Sequence, residues 1–258
     1  MNIIKWNDFL HNGISGKRKV ALTVGVFDGL HIGHQQLVNG IRSFSAKVSD
    51  TETAVFTFTN NPSAFFHPHQ FLGNILTIRQ KLKLFSAYGI RYVVLIDFSA
   101  DFSKLTGSGF FSIIGEHIEI EYVCLGKIFH CGRNNDTHSE QVRTMLGSEG
   151  IQVEIIEQVP YKTVPVSSTR IRKELLAGNI ADVNKMLGRY YELDCNEGIS
   201  NIRQIIPSDG MYTTNINGFS EEKKQENIMI QNGKINFNNS RRELEKIKAI
   251  QFIDRVME

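Results

Sequence analysis

A chain of 258 residues, 41% hydrophobic and 22% charged, is long enough for one large buried core or one core plus a small appendage. The formal net charge of +2 gives no broad basic field, so charge neither requires nor excludes nucleic acid, and none is expected as a partner. Three cysteines, Cys124, Cys131 and Cys195, form no CxxC pair and leave an odd count, which argues against a disulfide-built secreted scaffold. No stretch approaches the roughly 18 apolar residues of a spanning helix, and Met1 to Asp8 holds no apolar signal region. The expectation is a soluble cytoplasmic protein with no membrane partner.

In chain order, Val20 to Gly25 reads as a buried strand and residues 33–48 as the first helix, with Leu37, Val38 and Ile41 at helical spacing. Thr53 to Phe58 is a β-branched and aromatic strand that Asn60-Asn61-Pro62 ends. Pro62 to Gly73 lacks periodicity and reads as a loop with apolar anchors. Thr77 to Tyr88 is a helix capped by Thr77 and stopped by Gly89. Strands at 91–96, 122–125 and 151–156 then alternate with helices near 107–118 and 137–148. The near-continuous apolar run at 91–96 suits a parallel strand covered on both faces. This β/α alternation predicts a doubly wound, Rossmann-like α/β domain. Helices from Ser168 to Leu176 and from Ala181 to Leu187 follow, stopped by Gly178 and Gly188. The stretch Asn196 to Asn239 then turns rich in Asn, Gly and Ser with short β-like pieces, and Arg241 to Val256 suits either strand or helix. The expectation is a domain of residues 1–190 and a small, mainly β domain at 191–258.

The chemistry concentrates in Gly25-Val26-Phe27-Asp28-Gly29-Leu30-His31-Ile32-Gly33-His34, a strand-to-helix turn. Glycines let a phosphate approach the backbone, and the unpaired N–H groups and dipole of a helix start attract anions. His31 and His34, three apart on a first helical turn, can each donate to a phosphate oxygen. As a zinc site, HxxH supplies two ligands and no nearby pattern completes the set, so phosphate binding is the stronger reading and any metal ligands stay unknown. Val166-Ser167-Ser168-Thr169-Arg170-Ile171-Arg172 is a second candidate: hydroxyls that cap a helix or donate to phosphate, followed by arginines suited to anions. Two such helix starts in one parallel sheet can face a single crevice.

These two stretches, followed by Leu187-Gly188-Arg189-Tyr190-Tyr191, closely resemble the bacterial FAD synthetase family, the bifunctional riboflavin kinase/FMN adenylyltransferases, across residues 18–193. The resemblance implies a nucleotidyltransferase domain of the HIGH superfamily that joins FMN to the AMP part of ATP, with magnesium, giving FAD and pyrophosphate. It also implies ATP contacts at Gly25, Phe27, Asp28, Gly29, His31, Gly33, His34, Ser167, Ser168, Thr169 and Arg172, of which His31, His34 and Arg172 are the catalytic candidates. Asn60, Pro62 and Ile128 fall where the family places FMN-side residues.

Two departures qualify the resemblance. At Gly126-Lys127-Ile128-Phe129-His130-Cys131-Gly132, the family's acidic or amide position is Ile128. The family's G-F-P-T-A-N kinase motif has no counterpart between Glu192 and Tyr212, and the chain stops short of the usual tail, so the expectation is a shortened appendage without riboflavin kinase activity. A cytidylyltransferase of the same superfamily, or a non-catalytic regulator that binds flavin or nucleotide, stays open as an alternative. A class I aminoacyl-tRNA synthetase would need a KMSKS-like loop, which is not visible. Oligomeric state is not readable from the sequence.

Overall fold

The computed structural model describes residues 1–14, 18–218, 224–237 and 246–256. The chain divides into two compact units, one of Met1–Phe27, Gly33–Phe71 and Leu82–Val159, the other of Asp28–Ile32, Leu72–Lys81 and Pro160–Glu258. In this division residues 160–190, with Asp28–Ile32 and Leu72–Lys81, group with the C-terminal part.

The first unit is built on six strands, β1 (Asn2–Lys5), β2 (Lys19–Val24), β3 (Thr51–Phe58), β4 (Tyr92–Ile96), β5 (Glu119–Gly126) and, after two short strands, β8 (Gln152–Ile156). All pair in parallel, in the order β1-β4-β3-β2-β5-β8. The order reverses at β2, so β2 lies at the switch point where such sheets bind ligands beyond their strand ends. Its run Val20-Ala21-Leu22-Thr23-Val24 is buried throughout, as a central parallel strand requires. Connections run through α1 (Trp6–Asn12), α2 (Ile32–Ser45), α3 (Pro62–Phe66), α4 (Ile78–Ala87), α5 (Gly107–His117) and α6 (Ser139–Gly147). β6 (His130–Cys131) and β7 (Thr137–His138) form a small antiparallel ribbon. The core gathers Phe9, Phe56, Phe110 and Phe111 with aliphatic residues of the sheet.

The second unit adds the hairpin β9 (Pro160–Tyr161) and β10 (Val164–Pro165), then α7 (Ser168–Ala177), α8 (Ile180–Leu187) and an antiparallel sheet. That sheet has the order β11-β15-β12-β13-β14, from Tyr191–Asp194, Gly210–Asn217, Lys224–Gln231, Lys234–Phe237 and Ala249–Arg255 as β11 to β15. Asn184 of α8 ties the helix to it, donating to the carbonyls of Phe252 (2.9 Å) and Ile253 (3.0 Å) and accepting from the Tyr191 N–H (2.7 Å). Gly178 and Gly188 end α7 and α8 in left-handed conformation, as expected.

Some elements differ from the sequence reading. That reading does not anticipate β1 and α1. The segment 62–73 is not all loop, because Asn61 caps α3, its side chain accepting from the Ser63 N–H at 3.0 Å, and Pro62 sits in the first turn. α2 ends at Ser45 rather than residue 48. Of the C-terminal stretch, Ala249–Arg255 is strand, while Arg241 to Glu245 lie outside the described residues, as do 219–223 and 238–239. Among the described residues no helix is long and apolar enough to cross a membrane. The three cysteines are free.

Candidate nucleotide site

After β2 the backbone enters a strained turn. Phe27 has φ +50°, Gly29 +85° and Leu30 +38°. Glycine takes such values readily, whereas a bulky side chain there must be held by its surroundings. Gly25 is small for a local reason: a Cβ at that position would lie 3.2 Å from the Phe27 ring. That ring meets the His34 imidazole edge-on with centroids 5.2 Å apart, and Phe85 at 5.6 Å. A Cβ at Gly29 would press on Ile75 at 3.2 Å as well as demanding the left-handed backbone. Gly33 is the second residue of α2.

Asp28 anchors the turn within the second unit. Its carboxylate accepts from the N–H groups of Ile75 (3.0 Å) and Leu76 (3.0 Å) and pairs with Arg172 of α7. Arg172 also donates from Nε to the Gly73 carbonyl at 2.9 Å. Both side chains of the pair are almost wholly buried, at 4% exposure for Asp28 and 11% for Arg172. Ser168 donates from Oγ to the Asp28 carbonyl at 2.7 Å. Ser167 is the N-cap of α7, accepting from the Arg170 N–H at 3.2 Å, and Thr169 is exposed in the first turn. The glycine-histidine turn and the Ser-Ser-Thr-Arg helix start, 140 positions apart for the Ser168 bond, are therefore joined by direct contact.

His31 is buried, and its imidazole is pushed down to about 4, first by burial and then by the charge of Arg189. It is a neutral ring at physiological pH. Lys81 of α4 is also buried, and burial pulls its ammonium down to about 8 against the opposing pull of Asp28. Burial raises the Tyr191 hydroxyl well above the ordinary value, with the Asp28 charge adding to it, and the hydroxyl donates to the Ile205 carbonyl at 2.5 Å.

Several expected site residues carry structural duties. Arg170 has partners within the protein. Its guanidinium donates to the carbonyls of Tyr161 (3.0 Å) and Val164 (2.7 Å), fastening the β9-β10 hairpin, and lies over the Tyr161 ring. Asn60 exchanges two bonds with Phe98, its Nδ2 donating to the carbonyl at 2.8 Å and its Oδ1 accepting from the N–H at 2.7 Å. Pro62 opens α3, and Ile128 is 61% exposed just after β5. Sequence reasoning did not single out Arg189 and Lys81. Arg189 stood in the quoted Leu-Gly-Arg-Tyr-Tyr stretch, whereas Lys81 reads in sequence as the solvated face of a helix.

A six-stranded parallel sheet with helical connections and a glycine turn after its switch strand is an α/β fold of the Rossmann-like class. The FAD synthetase sequence profile matches residues 14–170, and the chain belongs to that family. It is 27% identical over 190 residues to the bifunctional riboflavin kinase/FMN adenylyltransferase of Buchnera aphidicola subsp. Schizaphis graminum, covering 71% of this chain and 61% of that protein. It is 24% identical over 202 residues to a FAD synthetase of Listeria monocytogenes, covering 76% of this chain and 81% of that protein. In fold it is similar to a macrolide-efflux protein from Streptococcus pneumoniae, known from a crystal structure, with TM-score 0.84, 21% identity, and coverage of 99% of this chain and 91% of that one.

Proposed function

We propose that this protein is an FMN adenylyltransferase: it transfers AMP from ATP to FMN, giving FAD and pyrophosphate. The observation that carries the reading is the union of the two phosphate-competent stretches, through Ser168 on the Asp28 carbonyl and Arg172 on the Asp28 carboxylate. An FMN phosphate oxygen forms the new bond to the α-phosphorus of ATP while the bond from that phosphorus to the bridging oxygen breaks, and the electron pair leaves with pyrophosphate. No covalent intermediate on the protein is needed, so the residues act by alignment and by stabilising charge on the departing group.

In this scheme His31 acts as a neutral imidazole that donates to a phosphate oxygen, and His34 donates from the next turn. Ser167, Ser168 and Thr169 place the N-terminus of α7 toward the nucleotide, and Arg172 contributes positive charge while fixed to Asp28. Magnesium enters as the counter-ion of the ATP phosphates. Among the described residues no group of three or more His, Cys, Asp or Glu could hold a metal, and the Asp28 oxygens already accept from two N–H groups and a guanidinium. That donor set fits an ion carried mainly by substrate phosphates.

The reading assigns the transfer to residues 1–190 and treats 191–258 as a shortened appendage without riboflavin kinase activity. The test supplies ATP and magnesium with riboflavin or with FMN and identifies the flavins formed. FAD from FMN, with riboflavin untouched, is the expected result. FMN from riboflavin would overturn the kinase part, and bound FMN with no FAD would favour a regulator. Turnover with CTP in place of ATP would favour a cytidylyltransferase. His34→Ala is expected to lower the FAD rate on the order of 10²–10³-fold, and wild-type turnover by that variant would remove the histidines from the mechanism.

A further inference from the structure

Asp28, Gly29 and Leu30 are gripped one after another by their carbonyl oxygens. Ser168 holds the first, and Arg189 the next two: Nη2 donates to Gly29 at 2.6 Å and Nη1 to Leu30 at 3.2 Å. The same Nη1 reaches the Leu187 carbonyl at 3.1 Å, tying the turn to the end of α8. Gly29 and Leu30 are also the residues forced to φ +85° and +38°. A planar fork with several donors in fixed geometry can bridge two successive carbonyls, which a single ammonium cannot do with the same directional constraint.

We propose that Arg189 is a positioning residue of the nucleotide site: its fork sets the Gly29 and Leu30 carbonyls and so presents His31 to the nucleotide phosphates. The inference rests on the adenylyl-transfer reading for its substrate, but its structural half stands on this chain alone. Charge acts in the same direction as geometry. After burial, Arg189 is the largest influence keeping His31 unprotonated. The other charged groups gathered in this unit around the turn are Arg172 of α7 with its partner Asp28, and Lys81 of α4, whose ammonium feels Asp28. A protonated His31 would bind phosphate as a charge, but its repulsion by the Arg189 guanidinium would act against the turn that holds it.

The experiment follows the His31 ring by NMR titration in the full chain, alongside kcat and KM for ATP, in wild type, Arg189→Gln and Arg189→Lys. Wild-type His31 is expected to stay neutral down to near pH 4. Arg189→Gln removes the neighbouring charge, so the midpoint moves up yet stays below the ordinary histidine value because burial persists. Arg189→Lys keeps the charge, so its midpoint stays near wild type, while the loss of the fork lowers kcat/KM for ATP. The expected loss is about tenfold to a hundredfold in the Gln variant and smaller in the Lys variant. An unmoved midpoint in folded Arg189→Gln, or unchanged kcat/KM in both variants, overturns the proposal. If Arg189→Gln does not fold, unchanged kcat/KM in Arg189→Lys overturns it and a fall with an unmoved midpoint supports it. If the wild type makes no FAD, the adenylyl-transfer reading fails, and the His31 titration with ATP affinity in place of turnover still decides the role of Arg189.

Discussion

The two compact units each have an apolar core and differ in the polar groups they bury beside it. Among the described buried residues of the first there is no Asp, Glu, Lys, Arg or His; its buried polar side chains are the hydroxyls of Thr23, Thr51, Thr53, Thr57, Thr137 and Ser139 and the amide of Asn61. Buried Asp28, His31 and Lys81 all belong to the second. The first is a rigid apolar scaffold, with Phe9, Phe56 and Phe110 packed edge to face. In the second, charged groups stay buried by answering one another, and a strained turn persists because three side chains hold it. An interior of that kind is weak evidence for stability and stronger evidence for a site.

The sharpest way to break the contrast is to remove one charge from the second interior. Asp28→Ala strands Arg172 and the Ile75 and Leu76 N–H groups, and a loss of about 3–5 kcal/mol is expected in denaturant unfolding, the scale for one member of a buried pair. The matched change in the scaffold, Phe56→Ala, is also expected to cost about 3–5 kcal/mol, through a cavity. Pairing Asp28→Leu with Arg172→Met should recover much of the first loss without restoring FAD formation. No comparable rescue exists for Phe56 short of refilling the hole. If Asp28→Ala costs under about 1 kcal/mol, the buried pair is not what holds the turn.

The contrast also predicts different responses to acid. Above pH 6.5 His31 is neutral in both folded and unfolded chains. Between 6.5 and about 4 the unfolded chain binds the proton and the folded chain does not, so stability falls as pH falls. The loss approaches about 3 kcal/mol below pH 4. His31→Gln removes this contribution, so its unfolding free energy should depend less steeply on pH across that window. Equal slopes in variant and wild type would mean that His31 takes up its proton in the folded chain as easily as in the unfolded one.

The scaffold was legible in the sequence because its strands are runs such as Ala54 to Phe58 and Tyr92 to Ile96, whose β-branched and apolar character agrees with their place in a covered parallel sheet. Strand β1 was not, since three of its four residues are exposed and no alternation marks it. The short helix α3 carried its signal openly, as Asn61 before Pro62, but five residues give periodicity nothing to work on. In the site, the residues that form motifs were legible, and the partners that hold them were not. That Arg172 would direct its charge to Asp28, that Arg170 would fasten a hairpin and that Lys81 would be buried are facts of tertiary contact, invisible to spacing along the chain.

The smallest effect separates the units most cleanly, because it starts from the same device in each. Thr106 caps α5 in the scaffold, accepting from the Gly109 N–H at 3.1 Å, and Ser167 caps α7 in the second unit, accepting from the Arg170 N–H at 3.2 Å. Both caps satisfy one otherwise unpaired donor of a helix start, so Thr106→Ala and Ser167→Ala should each cost about 1 kcal/mol in thermal or denaturant unfolding. Only the second cap lies in the helix start that the proposed mechanism turns toward the nucleotide. Ser167→Ala should therefore raise KM for ATP and lower kcat for FAD formation, while Thr106→Ala loses stability alone and keeps wild-type kinetics at temperatures where it is folded. Equal kinetics in the two variants would make the Ser167 cap a structural device like its counterpart, and would shift the burden of phosphate recognition from α7 to the glycine-histidine turn.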